Sequence, residues 1–262
     1  NLKLKLFQID AFISSVFSGN PACVVPLDYW LDDSILIEIA KENAVAETAF
    51  FTKESDHFHL RWFTPDIEMD LCGHATLATA HCILYELRYN KNKVVFESMS
   101  GRLEVERVDN DYQMILPAWP AKKTKLPESI LNSLNINPLE VYKSRDYLLI
   151  FKNQSEIENI TINRPIFDQI NINPGGVIMS AEGDDCDFVS RFFTPQATIL
   201  EDPVTGSAHC TLTPYWSEKL GKINLKAKQL SSRGGSLSCE LKKNQVRIHG
   251  EAITYLKGEI EI

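Results

Sequence analysis

A duplicated motif constrains the fold of this chain more than any other feature of its sequence. Residues 61–65 (RWFTP) lead to residues 70–76 (DLCGHAT), and residues 191–195 (RFFTP) lead to residues 201–209 (EDPVTGSAH). In both copies an aromatic run ends in Phe-Thr-Pro and a short acidic link follows, and a glycine then precedes a polar residue, an alanine and an apolar segment. A repeat with a period near half the chain predicts two similar halves, each with a helix that begins behind a glycine.

Hydrophobic periodicity predicts many short strands and a few helices in each half. Polar and apolar residues alternate over residues 2–6, as in a strand, whereas apolar residues recur at helical spacing over residues 73–88. Residues 206–220 are also predicted to be helical, with a kink or restart at Pro214 because proline has no backbone N–H. Residues 154–169 show no clean period and stay unassigned. The pattern indicates an α+β fold of mostly antiparallel strands rather than a βαβ nucleotide-binding fold.

Two prolines mark the predicted domain boundary. A chain of 262 residues can form one large domain or two smaller ones, and the repeat favours two. Pro117 and Pro120 interrupt the strand pattern, which is typical of a linker or crossover. We therefore predict an N-terminal domain over residues 1–117 and a C-terminal domain over residues 118–251.

Charge and composition exclude several classes of partner. The formal net charge is -8 and no block of basic residues occurs, which argues against nucleic acid but is compatible with a small anionic ligand in a local pocket. No apolar run approaches membrane-spanning length, and the N-terminal alternation is that of a strand rather than a signal peptide. The six cysteines are dispersed without a Cys-x-x-Cys pair, as expected of reduced thiols. We expect a cytoplasmic protein with neither a nucleic-acid nor a membrane partner.

Both predicted helix starts are candidate anion-binding sites. Gly73 and His74 open the first helix, and Gly206 and Ser207 open the second. A glycine lets a ligand approach the backbone closely, and the N–H groups at a helix start favour an anion. Two such ends could face each other across a cleft and hold a carboxylate or an enolate-like oxygen. The alternative is that the glycines only make sharp turns, although the duplication weakens it.

Three ionisable residues are candidates for proton transfer. Glu47 begins the apolar strand predicted over residues 46–51, where desolvation would raise its pKa towards that of a general base, unless it is a strand-edge carboxylate in water. His74 could act as acid, base or hydrogen-bond donor, or be a capping or core residue. Asp202 could orient His74 or the substrate, or cap the second helix. His209, one turn into that helix, is expected to be structural.

Cys72 precedes the first glycine and could remove a proton, as the thiols of two-thiol racemases do. That chemistry needs a second acid, and the corresponding residue of the second copy is Thr205, so a bystander thiol is favoured. His57 and His59 lie beside a turn without a clear third metal ligand. Because no phosphate loop or dinucleotide fingerprint occurs either, we predict no metal and no other cofactor.

Taken together, these motifs resemble the PhzF family of phenazine-biosynthesis proteins over essentially the whole chain. The residues that carry the resemblance are Glu47 and residues 10–12 (DAF), 19–22 (GNPA), 72–76 (CGHAT) and 201–208 (EDPVTGSA). The resemblance implies the diaminopimelate epimerase-like fold, with two pseudo-symmetric half-barrel domains, each a curled, mostly antiparallel sheet around a central helix, and the site between them. It also implies that the final strand, over residues 252–262, returns to the first domain and that the protein is a homodimer.

The resemblance implies an activity as well. The family's best-known reaction is the cofactor-free isomerisation of trans-2,3-dihydro-3-hydroxyanthranilate, in which a glutamate removes a proton from C3 and the proton returns elsewhere on the ring. The family's glutamate maps onto Glu47, its histidine onto His74 and its aspartate onto Asp202. Its glycine-serine helix start maps onto residues 206–207, and Gly73 is expected to supply backbone N–H groups.

We therefore expect Glu47 to act as the general acid/base, while His74 and Asp202 hold polar groups of a small anionic carboxylate substrate. Such a reaction needs preorganised donors for the charge that develops, and neither a metal nor a redox cofactor. Two alternatives stay open. One is an amino-acid epimerase or racemase of the same fold, which Thr205 disfavours in the place of a second thiol. The other is a non-catalytic ligand-binding protein on this scaffold.

Overall fold

The computed structural model describes residues 2–172 and 175–262, which form two compact units. The first unit contains the residues up to Ile115 together with His249–Ile262, and the second contains Leu116–Ile248. Each unit combines helices with mostly antiparallel strands, which confirms the predicted α+β class. Asn1, the first residue of the predicted N-terminal domain, lies outside the described residues.

The strands and helices of the first half follow one another in a simple order. They are β1 (Lys3–Ala11), β2 (Asn20–Leu27), α1 (Asp33–Asn43), β3 (Glu47–Lys53), β4 (Phe58–Phe63), β5 (Glu68–Met69), α2 (Gly73–His81), β6 (Lys93–Ser98), β7 (Gly101–Val108) and β8 (Asp111–Pro117).

The second half continues with β9 (Lys122–Lys123), α3 (Glu128–Ser133), β10 (Glu140–Lys143), β11 (Tyr147–Ile150), α4 (Gln154–Asn159), α5 (Arg164–Phe167), β12 (Val177–Glu182), β13 (Phe188–Phe193), β14 (Glu201–Asp202), α6 (His209–Leu220), β15 (Asn224–Gln229), β16 (Gly235–Lys242) and β17 (Gln245–Gly250). The last strand, β18 (Ala252–Glu261), pairs antiparallel with β1 of the first unit.

The repeat in the sequence corresponds to a repeat in the strand order. In the first unit β1 and β2 are antiparallel, β2 and β3 parallel, β3 and β4 antiparallel, and β4 and β6 parallel. In the second unit β10 to β13 and β15 repeat these four relations in the same sequence. A two-residue strand, β5 or β14, then adds to each hairpin just before the duplicated glycine. The two glycine-led segments therefore follow equivalent strands.

Helix α2 is the central helix of the first unit. All of its residues are buried, and it packs on β1, β2 and β3, as expected of a helix without a polar face. The sequence predicts a helix to residue 88, but α-helical bonding ends at His81 and residues Cys82–Glu86 form a π-helical turn. The N–H of Leu87 donates to the carbonyl of Cys82 at 2.9 Å, which closes this wider turn.

Helix α6 begins later than the sequence predicts. The N–H of His209 donates to the carbonyl of Gly206 at 3.1 Å. Residues 206–208 therefore form a tight turn in front of the helix instead of its first turn.

Pro214 lies inside α6 and does not end it. Proline offers no N–H to the carbonyl four residues earlier, that of Cys210, which accepts the N–H of Trp119 at 2.7 Å instead. The unassigned residues 154–169 contain α4 and α5, of six and four residues. Helices of one turn or so are too short to show a hydrophobic period.

Two general features follow from the described residues. No helix among them has the length and apolar composition needed to cross a membrane. None of the six cysteines, all of which lie in the described ranges, forms a disulfide. Burial raises the pKa of the Cys23 and Cys239 thiols to about 12, so both stay protonated at neutral pH and are poor nucleophiles.

Candidate active site

Glu47 is the first residue of β3, where its backbone pairs with Ala22 on the parallel strand β2. Its side chain is only 12% exposed. A carboxylate that is largely removed from water carries a desolvation cost unless polar groups compensate for it. Its surroundings therefore decide what Glu47 can do.

The start of α2 brings a thiol, a glycine and an imidazole to one point. Cys72 has an extended backbone and occupies the N-cap position. Its carbonyl accepts the N–H of Thr76 at 3.2 Å and the hydroxyl of the same residue at 2.5 Å. The N–H groups of residues 73–75 precede this first intrahelical bond, so they point out of the helix end, where they can bind an anion.

His74 joins Glu47 and the helix start in one cluster. Its Nε2 lies 3.2 Å from Oε2 of Glu47. Its Nδ1 lies 3.5 Å from Sγ of Cys72 and 3.1 Å from the amide nitrogen of Asn20, which is the first residue of β2. The structure thus brings Glu47, Cys72 and His74 together, although the histidine and the glutamate lie on different elements.

The imidazole in this cluster is uncharged. The side chain of His74 is 2% exposed, and burial lowers its pKa from 6.5 to about 3. The 3.2 Å approach to Glu47 is therefore a contact between a carboxyl group and a neutral ring, and it is not an ion pair. His74 can donate or accept a hydrogen bond there, but it cannot supply a proton as an imidazolium.

The same three residues are the candidate metal ligands of the described chain. One ligand atom from each of Glu47, Cys72 and His74 lies within 4.8 Å of the others. A carboxylate, a thiolate and an imidazole suit a cation such as Zn²⁺. However, Cys72 faces Nδ1 while Glu47 faces Nε2, and one metal ion can bind only one of the two ring nitrogens. A shared ion would therefore require the imidazole or the thiol to move.

In the second unit, Asp202 lies in the short strand β14 in front of the duplicated glycine. Its Oδ2 accepts the hydroxyl of Thr205 at 2.5 Å. Gln229, which is buried, donates to the carbonyl of Asp202 at 2.8 Å and accepts the N–H of Thr205 at 2.8 Å. Helix capping, the alternative interpretation of Asp202, does not fit, because α6 begins only at His209.

Gly206 and Ser207 are buried in the tight turn before α6. His209 follows them and donates from Nδ1 to the carbonyl of Thr205 at 2.8 Å. Burial lowers the pKa of His209 to about 4, so the ring is neutral, and its bond to the preceding turn gives it a structural role.

Two residues of these clusters were missed by sequence reasoning. Asn20 occurs in the Gly-Asn-Pro-Ala segment that contributes to the family resemblance, but its composition indicates a turn and assigned Asn20 no role in the site. Gln229 lies at the end of β15, far along the chain from Asp202. The available signal was weak, because a buried amide on a strand becomes informative only when its partner is known.

Comparison with known proteins finds a family model and relatives that match most or all of the chain. A family model described as phenazine biosynthesis-like protein matches residues 9–258 of this chain. An uncharacterized isomerase from Pseudomonas aeruginosa is 42% identical over 262 residues, and the match covers 100% of both chains.

Solved structures extend the likeness to the fold. The crystal structure of a PhzF-family phenazine biosynthesis protein from Enterococcus faecalis has a TM-score of 0.92 and 40% identity, with 100% of both chains covered. The structure of a predicted epimerase from Pseudomonas aeruginosa has a TM-score of 0.73 and 19% identity, with 98% of this chain and 99% of that chain covered. The second likeness concerns the fold alone, and the two together confirm the epimerase-like α+β fold predicted from the sequence.

Proposed function

The chain belongs to the phenazine biosynthesis-like protein family, and on this premise we propose that it is an isomerase that moves a carbon-bound proton on a small carboxylate without a cofactor. The curated relative from Pseudomonas aeruginosa carries the name of an isomerase, which supports the reaction class.

The observation that carries the proposal is the buried contact between Glu47 and an uncharged His74. Oε2 of Glu47 lies 3.2 Å from Nε2 of a ring whose pKa burial lowers to about 3. A carboxylate beside a neutral ring keeps its capacity to accept a proton, whereas a strong ion pair would weaken it as a base. In the proposed reaction Glu47 takes a proton from one substrate carbon and returns it to another.

The start of α2 is proposed to stabilise the charge that develops on the substrate. Proton removal next to an unsaturated or carboxylate group places negative charge on oxygen, and preorganised donors at that oxygen lower the barrier. The N–H groups of residues 73–75 are such donors, because they point outwards from the N-terminal end of a fully buried helix. Gly73 lacks a side chain, so a ligand can approach these N–H groups closely.

The second-unit residues are proposed to bind polar groups of the substrate. The hydroxyl of Thr205 fixes one oxygen of Asp202 at 2.5 Å, and a fixed carboxylate can orient an amino or hydroxyl group. Gly206 and Ser207, in the turn before α6, are proposed to contact the substrate carboxylate. These roles follow the family resemblance residue by residue.

The first substrate we propose is trans-2,3-dihydro-3-hydroxyanthranilate or a related small anionic carboxylate. We further propose that the protein acts in the cytoplasm as a homodimer, without a nucleic-acid or membrane partner. The formal charge of -8 argues against a nucleic-acid partner, and the family resemblance supports the substrate class and the homodimer.

Proton exchange in D₂O tests the proposal directly. The protein is incubated in D₂O with trans-2,3-dihydro-3-hydroxyanthranilate, beside a Glu47→Gln variant, and the substrate is followed by NMR. We expect isomerisation or deuterium uptake that depends on Glu47. Equal turnover by Glu47→Gln would overturn the assignment of the base. Absence of turnover by the wild-type protein would reject this substrate and direct the same assay to other small unsaturated carboxylates.

An amino-acid epimerase is the second candidate, because Cys72 lies next to an imidazole, with Sγ 3.5 Å from Nδ1 of His74. Two-thiol epimerisation also needs an acid at the position of Thr205, whose hydroxyl is engaged with Asp202. Loss of optical rotation from L-amino acids, abolished by Cys72→Ser, is the result that would favour this candidate over the first.

A further inference from the structure

We propose that Asn20 is a positioning residue that holds the neutral ring of His74 in the tautomer with its proton on Nε2. His74 then presents an N–H to Glu47 and the substrate, and Glu47 is the only group of the cluster that moves a proton. The catalytic consequence rests on the proposed function, whereas the tautomer itself is a property of the folded protein.

The backbone fixes the amide of Asn20 in place. Asn20 begins β2, pairs with Ala11 on β1 and is 0% exposed. The preceding Gly19 has a φ of +80°, and a Cβ there would lie 2.5 Å from the carbonyl oxygen of Ala11. Only glycine fits this turn, which delivers Asn20 to the ring of His74.

Two hydrogen-bond donors converge on Nδ1 of His74. One is an amide N–H, which can only donate, and the other is a thiol, which can readily donate. The amide nitrogen of Asn20 lies 3.1 Å away and has no lone pair to offer, so Nδ1 must be the acceptor of this bond. The Cys72 sulfur lies 3.5 Å from the same nitrogen, and its S–H can donate to it as well. Both contacts are satisfied when Nδ1 carries a lone pair.

The other side of the ring leads to the same tautomer. Oε2 of Glu47 lies 3.2 Å from Nε2 without the geometry of a hydrogen bond, and a carboxylate charge at that distance favours an N–H over a lone pair on Nε2. With the proton on Nδ1, the ring would set one N–H against the amide N–H of Asn20 and a lone pair against the carboxylate. Because the site is buried, neither repulsion could be relieved by water. All three contacts therefore favour Nε2–H.

This tautomer determines what the cluster can do. A relay through the ring would need Nδ1 to release a proton, but in this state Nδ1 carries none, and both of its neighbours are donors. His74 instead turns an N–H towards the carboxylate of Glu47, whose Oε2 lies 3.2 Å from Nε2. The proton that Glu47 removes from the substrate is then available for return. A substrate deuterated at the carbon that loses its proton should therefore keep part of its deuterium during isomerisation in H₂O.

The tautomer is read directly by NMR. In protein labelled with ¹⁵N-histidine, a long-range ¹H–¹⁵N correlation spectrum at pH 7 distinguishes Nδ1–H from Nε2–H, and the signals of His74 are those missing in His74→Gln. We expect Nε2–H in the wild-type protein. A spectrum with the proton on Nδ1 would overturn the proposal without any measurement of activity.

Asn20→Asp and Asn20→Ala vary the group beside Nδ1. Aspartate is isosteric but can only accept, so Asn20→Asp should place a proton on Nδ1. We expect kcat to fall roughly 100-fold with KM little changed, by analogy with the partners that orient metal-binding histidines. Asn20→Ala should lower kcat by about 10-fold. An unchanged His74 spectrum in Asn20→Asp would contradict the proposal. If the aspartate variant does not fold, the spectrum of the wild-type protein and the kcat of Asn20→Ala test the proposal instead.

Asn43→Asp is the matched control. The amide of Asn43 donates to the hydroxyl of Thr48 at 3.0 Å, and a hydroxyl can rotate to donate to an aspartate instead. This variant should leave the His74 spectrum and kcat unchanged. If the wild-type protein shows Nε2–H but turns over no proposed substrate, the proposed function fails and the positioning role of Asn20 still stands.

Discussion

The two halves of this molecule share their structural bonds and differ in their reactive groups. Arg61 binds Glu68 through two N–H bonds of 2.7 and 2.8 Å, and Arg191 binds Glu201 through two of 2.7 and 2.9 Å. Each guanidinium also lies over the phenylalanine two residues further on, 5.1 or 4.9 Å from the ring centre. The duplicated residues of the motif thus hold β4 to β5 and β13 to β14 in the same way.

The residue proposed as the base has no counterpart in the second half. Thr48 pairs with Phe63 across the first hairpin and Val177 pairs with Phe193 across the second, so Glu47 and Gly176 precede equivalent positions. At Gly176 a Cβ would lie 2.5 Å from the ring of Phe192. The second half therefore has no space for a side chain where the first half carries its carboxylate.

The glycine-led segments show the same contrast. His74 corresponds to Ser207, and Cys72 corresponds to Thr205, whereas the glycine between them is kept. What is common to the halves maintains the fold, and what differs between them marks the candidate chemistry. Comparing the copies therefore locates a site more sharply than the motif does by itself.

The largest effect on kcat should come from Glu47, which has no counterpart in the second half. Glu47→Gln keeps the size of the side chain but removes the proposed base, so we expect kcat to fall roughly 1000-fold, within the range of general acid–base catalysis. The measurement is deuterium uptake by the substrate in D₂O. Glu68→Gln is the matched control, because it makes the same change at a duplicated structural residue and should lower stability while leaving kcat within about twofold.

The next effect should be of similar size in the two halves. Arg61→Ala breaks ion pairs with Glu68 and Asp33, and Arg191→Ala breaks the ion pair with Glu201 and the bonds to the carbonyls of Ile157 and Ile160. The arginines are only 19% and 14% exposed, so each substitution should lower the free energy of unfolding by about 2 to 3 kcal/mol. Urea denaturation measures both. Arg102→Ala, at an arginine that is 60% exposed, should cost less than about 0.5 kcal/mol. A loss confined to one half would contradict the equivalence of the two structural bonds.

Acid should destabilise both halves through their buried histidines. Burial lowers the pKa of His74 from 6.5 to about 3 and that of His209 from 6.5 to about 4. Below pH 6.5 the unfolded chain binds protons that the folded chain does not, so stability falls as the pH drops from 6.5 towards 4. Each histidine should contribute a slope of up to about 1.4 kcal/mol per pH unit.

Single substitutions separate the two contributions. His74→Gln and His209→Gln should each reduce the slope of unfolding free energy against pH by a similar amount, measured by urea denaturation at several pH values. The comparison concerns slopes, so a constant loss of stability in either variant does not affect it. A slope that only one variant changes would show that the other histidine is not neutral in the folded protein.

Much of this organisation could be predicted because it is local. The repeat, the strand that Glu47 begins and the glycine in front of His74 are all expressed in short runs of sequence. The contact between His74 and Asn20 joins residues that are 54 positions apart, and no local pattern reports it. The π-helical turn at Cys82–Glu86 likewise depends on how α2 ends in the core.

The smallest effect should come from Cys72. Cys72→Ser puts a hydroxyl where the second half has that of Thr205, at an N-cap position where serine can accept an N–H from the first turn. The gain from capping opposes the cost of burying a hydroxyl, so we expect stability to change by less than about 1 kcal/mol and kcat by less than about threefold. EDTA should also leave the wild-type rate unchanged. A large loss of rate in both experiments would instead indicate a catalytic metal bound by Glu47, Cys72 and His74, and a loss in Cys72→Ser alone would favour thiol chemistry. In either case the functional difference between the halves would involve the thiol of Cys72 as well as the carboxylate of Glu47.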